Sequence, residues 1–300
     1  MKLSVAVITM NRSAQLMQAL ISCVSCQLPS DTQFVIIDNA STDDTTDVVE
    51  RFFKEHPYEY YYEKMKENLG VGIGRNYAFS KVKGDYAYFL DDDAYIDIKK
   101  APDFFQRAME IMDRYPVIAT LTTQIFDLAW QANRVESNGP VFAPGIRKCY
   151  MFCGGSHFLR RSFFRAGNPY FANKYGYEEI FPSLEVYEAG SINAFAEDLL
   201  IIHNPLKNKW DPTVAENADH AALTVANRYL MKSAKYPSIF KPVLWLALRR
   251  RISQSKINTD VLLSKTKEVI NTVDKQQFTT KRISVHTVVT LLKDFGLSVF

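Results

Sequence analysis

The chain has 300 residues, of which 47% are hydrophobic, 13% aromatic and 23% charged, a composition that excludes disorder, collagen-like sequence and a coiled coil. Its length allows one enlarged domain, or a core with an appendage, and is enough to bury a full active site. The formal charge of +3 hides an asymmetry: residues 206–300 carry 16 Lys and Arg against 7 Asp and Glu, and the first 205 residues carry 20 against 26.

In chain order, Leu3-Ser4-Val5-Ala6-Val7-Ile8-Thr9 is a β-branched run that predicts a strand, and residues 14–27 have helical spacing behind Ser13, a candidate N-cap. Gln33-Phe34-Val35-Ile36-Ile37-Asp38 repeats the strand signal, and Ser41, Thr42, Asp43 and Asp44 offer caps to a helix over residues 45–55. A third strand is predicted over residues 58–64, a glycine-punctuated helix over 72–81 and a fourth strand over 86–90. This alternation predicts an α/β fold, a mainly parallel open sheet with helices on both faces. Beyond residue 101 come a predicted helix over 103–115, a strand over 118–123 and a Gly/Pro-dotted stretch to residue 148, expected to form a lid or pocket wall. Helices over 156–166 and 178–189 and a strand over 192–203 follow, and after Trp210 the chain reads as helical, with Pro237 and Pro242 as breaks. The expected division is a domain over residues 1–205 and a basic helical extension over 206–300.

No apolar run reaches the roughly 18 residues needed to span a bilayer, and Met1-Lys2-Leu3-Ser4 leads into a strand instead of a signal peptide's apolar stretch. A cytoplasmic location is expected. Cys23, Cys26, Cys149 and Cys153 are too few for a disulfide scaffold and read as reduced thiols, small buried hydrophobes in place of a zinc site.

The residues richest in chemistry are Asp91-Asp92-Asp93, directly after the apolar run Tyr86-Ala87-Tyr88-Phe89-Leu90. Three adjacent carboxylates at the end of a buried strand repel one another and cost much to desolvate, which points to a cation or a metal-bound phosphate. In an extended chain Asp91 and Asp93 point the same way and can share a ligand, and oxygen ligands suit Mg²⁺ or Mn²⁺. Asp38 also ends a buried strand, where a carboxylate can take the N–H of a nucleobase. Asn68-Leu69-Gly70-Val71-Gly72-Ile73-Gly74-Arg75-Asn76 lets backbone approach a phosphate or sugar closely, with Arg75 adding charge. Its spacing is not G-x-G-x-x-G and it follows the third strand, which argues against a nicotinamide or flavin enzyme.

Four motifs in order carry a family resemblance: Val5-Ala6-Val7-Ile8-Thr9-Met10-Asn11-Arg12, Val35-Ile36-Ile37-Asp38-Asn39-Ala40-Ser41-Thr42-Asp43, the Asn68–Asn76 loop, and Phe89-Leu90-Asp91-Asp92-Asp93. Together they resemble the inverting family 2 glycosyltransferases of GT-A fold, over roughly residues 1–205 and most strongly over the first 95. The resemblance implies a UDP-, GDP- or dTDP-sugar donor, held in a nucleotide-sugar half over residues 1–100 and met by an acceptor half over 101–205. It implies donor contacts from Thr9, Asn11, Arg12, Asp38, Asn68, Gly72, Arg75, Asp91 and Asp92, with Asp93, Asp91 and His203 on a Mn²⁺ or Mg²⁺ ion. Cys153-Gly154-Gly155-Ser156-His157-Phe158-Leu159-Arg160-Arg161 resembles the family's glycine loop before a helix, which places Gly154 and Gly155 in the pocket. Gly176-Tyr177-Glu178-Glu179 resembles the motif whose second acid is the general base, so Glu179 is the candidate and Glu178 the fallback. Phe181 and Glu185 depart from the family's further acid and arginine, which bears on the acceptor.

The implied reaction is a hexosyl or deoxyhexosyl transfer to the hydroxyl of a glycan or lipid-linked acceptor. Glu179 takes the acceptor proton as that oxygen displaces the nucleoside diphosphate, a single displacement needing one catalytic carboxylate, unlike glycoside hydrolysis, which needs two. Residues 239–251, apolar and aromatic with a cationic end, can lie in a membrane interface at the inner face of the cell membrane, or pack in a core or dimer. No nucleic-acid partner is expected, because the acidic part would repel phosphate and no recognised motif is present. Two alternatives stay open: a catalytically silent sugar-nucleotide-binding or scaffold protein of the same fold, and a nucleotidyltransferase. The second should show a basic glycine-rich loop after the first strand, where this chain has Thr9-Met10-Asn11-Arg12.

Overall fold

In the computed structural model, which describes residues 2–134, 139–165, 167–173, 176–205, 217–278 and 280–300, the N-terminal apolar run is a central strand buried on both faces. The chain divides into two units, Met1–Leu206 and Lys207–Phe300. In chain order the first unit comprises β1 (Leu3–Thr9), α1 (Ser13–Val24), β2 (Gln33–Asp38), α2 (Thr45–Glu55), β3 (Glu59–Lys64), α3 (Val71–Lys81), β4 (Tyr86–Asp91) and β5 (Ala94–Ile96). It continues with α4 (Phe104–Arg114), β6 (Ile118–Asp127), β7 (Ala132–Asn133), β8 (Val141–Ala143), β9 (Ile146–Lys148), β10 (Ser156–Arg160), α5 (Ile180–Glu188) and β11 (Ile192–His203).

One sheet runs β3-β2-β1-β4-β10-β6-β11-β9-β8, with β5 paired to β11 and β7 to β6. β3, β2, β1 and β4 are parallel neighbours, β10 is antiparallel to β4 and β6, and β11 is parallel to β6. The result is a mixed, mostly parallel sheet flanked by helices, as the alternation predicts. Its helices face the sheet with apolar sides: α2 buries Val48, Val49, Phe52 and Phe53, and α4 buries Phe104, Phe105, Ala108, Met109 and Met112. Rings of Phe104, Phe105 and Phe158 close around Tyr88 on β4. Register aligns Thr9 with Asp38 and Ile8 with Asp91, so β1, β2 and β4 end at one edge, where open sheets bind ligands.

Three local expectations are corrected. The helix predicted over residues 156–166 is instead β10, because its apolar residues pack on both faces of a strand that fills the space between β4 and β6. The glycine loop therefore precedes a strand. Ser13 does not cap α1, which begins at that residue without a side-chain cap; the Ser13 N–H donates to Asp43 instead, at 3.1 Å. The same Asp43 accepts from the Thr45 amide at 3.2 Å, so one carboxylate serves the starts of two helices. Pro242 does not break a helix; it lies in the first turn of one, where its missing N–H costs nothing. All four cysteines are free thiols, three of them buried.

The second unit contains α6 (Asn217–Lys235), α7 (Lys241–Ser253), α8 (Thr259–Thr272) and α9 (Val285–Phe295). Ala222, Leu248, Ile252 and Leu262 form a small core where α6, α7 and α8 meet, with Tyr229 edge-on to Trp245 beside it. The predicted helical start at Trp210 lies outside the described residues. Among the described residues, no helix is long and apolar enough to cross a membrane.

Candidate active site

The ends of β1 and β4 meet through charge. The Thr9 hydroxyl donates to Asp92 at 2.9 Å, and Arg12 reaches Asp92 at 2.6 Å and Asp93 at 2.8 Å. Burial, with Asp93 beside it, pushes the Asp92 carboxyl up to about 6 against the pull of Arg12. Asp92 thus turns back toward β1, while Asp91 and Asp93 present ligand atoms with His203, all within 4.8 Å of one another. Two carboxylate oxygens and an imidazole nitrogen fit a divalent cation such as Mn²⁺. His203 comes from the end of β11, with Nε2 3.3 Å from Asp93 Oδ1 and Nδ1 2.8 Å from Asp127 Oδ2. Burial opposes a charge on His203, but the hydrogen bond and charge of Asp93 outweigh it and raise the imidazole's pKa.

The other half of the site centres on Arg75. Its guanidinium, in the first turns of α3, lies 2.6 Å from Glu178, 3.1 Å from Glu179, 2.9 Å from Asp91 and 2.8 Å from the Gly154 carbonyl. Burial works against this charge, but Glu178, Asp91 and Glu179 outweigh it and hold Arg75 protonated. Arg75 therefore spends its donors on carboxylates, in a position the Gly-rich loop alone did not indicate. Glu178 and Glu179 immediately precede α5 and are both buried. Burial and the adjacent Glu178 push Glu179 up, against Arg75. The backbone before them is left-handed, with φ of 86° at Gly176 and 63° at Tyr177, an arrangement unfavourable for a tyrosine and typical of functional turns.

The remaining predicted contacts hold the loops at the sheet edge. Asn11, with φ of 52°, accepts from the Thr42 amide at 2.7 Å, and its own amide donates to the Ser41 hydroxyl at 2.9 Å. Asp38 is fully buried and accepts from the Ser41 amide at 2.7 Å and from the Tyr62 hydroxyl at 3.0 Å. Asn68 accepts from the Gly70 amide at 2.8 Å. At Gly72 an added Cβ would fall 2.1 Å from the Phe171 carbonyl, and at Gly154 one would fall 1.9 Å from Glu179 Oε1 and 2.5 Å from Arg75 Nη1. Gly155 leaves more room, 3.1 Å from Asp91 Oδ2. Of the departing residues, Phe181 is buried edge-on against Phe171, and Glu185 is exposed. Sequence reasoning missed Asp127 and Tyr62; Asp127 at the end of a long β-branched run was its one available signal.

The sequence model described as "Glycosyl transferase family 2" matches residues 4–167. Among curated proteins, the chain is 31% identical over 93 residues to the uncharacterized glycosyltransferase YfnE of Bacillus subtilis, covering 31% of this chain and 23% of that protein. It is 30% identical over 97 residues to a poly(ribitol-phosphate) β-glucosyltransferase of Bacillus spizizenii, 32% of this chain and 15% of that one. It is 33% identical over 92 residues to the GalNAc(5)-diNAcBac-PP-undecaprenol β-1,3-glucosyltransferase of Campylobacter jejuni, 31% and 29% of the two lengths. The aligned parts thus span well under two thirds of these relatives. Among solved structures, S. aureus TarS in complex with UDP-GlcNAc superposes with a TM-score of 0.60 at 16% identity, covering 90% of this chain and 72% of that one. A mannosyltransferase from Pyrobaculum calidifontis in complex with GDP-Man and Mn²⁺ gives 0.59 at 15% identity, over 100% and 81%. Both likenesses show the GT-A fold, and since the family match spans more than half of the 300 residues, the chain belongs to glycosyl transferase family 2.

Proposed function

We propose that the protein moves a hexosyl or deoxyhexosyl group from a nucleoside-diphosphate sugar to an acceptor hydroxyl, inverting the anomeric centre, with Glu179 as general base. One observation supports this reading: a buried guanidinium, Arg75, joins Glu179 to Asp91, so the candidate base adjoins the Asp91, Asp93 and His203 cluster at the carboxyl edge of the sheet. Glu179 takes the proton of the acceptor hydroxyl as its oxygen bonds to the anomeric carbon, and the bond from that carbon to the diphosphate oxygen breaks on the opposite side. Burial beside Glu178 supplies the basicity this needs near neutral pH. Arg75 aims the base and opposes part of the rise in its pKa, Arg12 offers charge toward the diphosphate, and Asp38 with Tyr62 is the contact for the nucleobase. A divalent cation held by Asp91, Asp93 and His203 would offset the charge gathering on the departing diphosphate.

The C. jejuni relative is named for a lipid-linked acceptor, which favours a similar acceptor for this chain, met at a membrane surface on the cytoplasmic side. The second unit supports that setting, since α7 exposes apolar residues beside arginines.

The test is release of nucleoside diphosphate from a panel of UDP-, GDP- and dTDP-sugars, with and without Mn²⁺, alongside donor binding by calorimetry. One donor should be turned over only with the cation. Glu179→Gln should slow release by about 10²- to 10⁴-fold and still bind donor, and Asp93→Ala should lose cation-dependent binding. Binding of no donor would sink the reading; binding without release, with lipid-linked and free-sugar acceptors supplied, would show a protein that holds sugar nucleotides without transferring them.

A further inference from the structure

We propose that Asp127 is a positioning residue that fixes the tautomer and aim of His203 toward Asp91 and Asp93. The inference rests on reading those three residues as a cation site. β6 and β11 run parallel, and their register sets Asp127 opposite His203 at the two strand ends. Asp127 Oδ2 lies 2.8 Å from His203 Nδ1. An ionised carboxylate offers only acceptors, so Nδ1 carries the hydrogen and Nε2, 3.3 Å from Asp93 Oδ1, is the nitrogen presented to the cluster. An outer carboxylate of this kind orients a metal-binding imidazole and strengthens it as a ligand.

A second set of contacts fixes Asp127 itself. Its other oxygen accepts from the amides of Ala129 at 2.9 Å and Trp130 at 3.1 Å, and the Leu128 amide donates to the His203 carbonyl at 2.9 Å. The carboxylate is clamped between the imidazole and the turn that follows β6. Capping that turn uses one oxygen. The second oxygen, aimed at Nδ1 from a residue only 2% exposed, is surplus to a cap, and burying it has a cost that a role at His203 explains. The turn also presents Trp130, 46% exposed with the Arg134 guanidinium 5.6 Å from its ring centroid, so the imidazole and an exposed aromatic share one anchor.

The test is Mn²⁺ binding to the full chain without donor, by calorimetry and by the spin-resonance signal of free Mn²⁺, for wild type, Asp127→Asn, Asp127→Ala and His203→Ala. Asp127→Asn keeps the shape and loses the charge, and should bind Mn²⁺ about 10- to 100-fold more weakly while its metal-free unfolding temperature stays near wild type. Asp127→Ala should lose at least as much. If both Asp127 variants bind within about twofold of wild type and His203→Ala binds weakly, the inference is overturned and the cation site stands. If His203→Ala also binds like wild type, the reading of the cation site falls, and the inference with it.

Discussion

Glu179 is where a single residue's chemistry is most exposed to measurement. A general base works only when unprotonated, and burial beside Glu178 raises this group above the ordinary glutamate range. With the pKa raised, transfer should be lost as pH falls through a limb lying higher than a solvated glutamate would give, and should recover above it. A pH profile of kcat/KM reports this group in the free enzyme; Glu179→Gln should abolish the limb together with most of the rate. A limb at the ordinary glutamate position, or one that survives the substitution, would assign the base elsewhere. The same neighbourhood shows which residues the sequence could reveal. Asp91 and Asp93 were legible because adjacent acids at the end of an apolar strand have few other uses. Arg75 was legible only as a charge in a glycine-rich loop, since two of its partners, Glu178 and Glu179, lie more than a hundred residues away. Asp127 is coupled to His203 across 76 residues by strand register, which no local pattern encodes.

At the scale of elements, close approach decides what the loop before β10 can contain. Gly154 passes its backbone against the Glu179 carboxylate and the Arg75 guanidinium, where a methyl group would overlap both. Gly154→Ala must displace Glu179, the proposed base, or Arg75 beside it, and overpacking of this sort costs about 1–3 kcal/mol. The expected result is a fall in melting temperature together with a larger proportional loss of kcat than of donor binding, read by thermal unfolding and steady-state kinetics. Wild-type turnover in that variant would show that the loop can yield, and that the packing seen here does not set the base. Strands β1, β2 and β4 were readable because both faces of each are buried, which gives continuous apolar runs. Ser156–Arg160 was not, because a short apolar run reads as helix or strand alike. Only the vacancy between β4 and β6 selects the strand.

At the scale of the whole molecule, the charge asymmetry acquires a place. From His220 to Thr259 the sequence contains no Asp or Glu and eight Lys and Arg. Lys232 and Lys235 are buried, with the Lys232 ammonium donating to the carbonyls of Val299 and Phe300, so these two are structural. Lys241, Arg249 and Arg250 are exposed on α7. That helix is apolar on two sides: Leu244, Leu248 and Ile252 face the core of the unit, while Ile239 just before it is 76% exposed and Leu246 65%. Under the membrane setting proposed above, this outward row, apolar with cations at its end, would lie on an anionic bilayer surface, where each basic residue contributes about 1 kcal/mol. Removing two such charges should weaken binding roughly 30-fold at low salt. Sedimentation with vesicles of phosphatidylglycerol and phosphatidylcholine measures this directly. Wild type should pellet at low salt and release as salt rises, Arg249→Gln/Arg250→Gln should pellet poorly, and Ile239→Glu/Leu246→Glu should fail at any salt. Turnover of a soluble acceptor should be unchanged in both variants. Equal pelleting of all three proteins would remove the membrane from this face and leave the exposed row without an assigned partner.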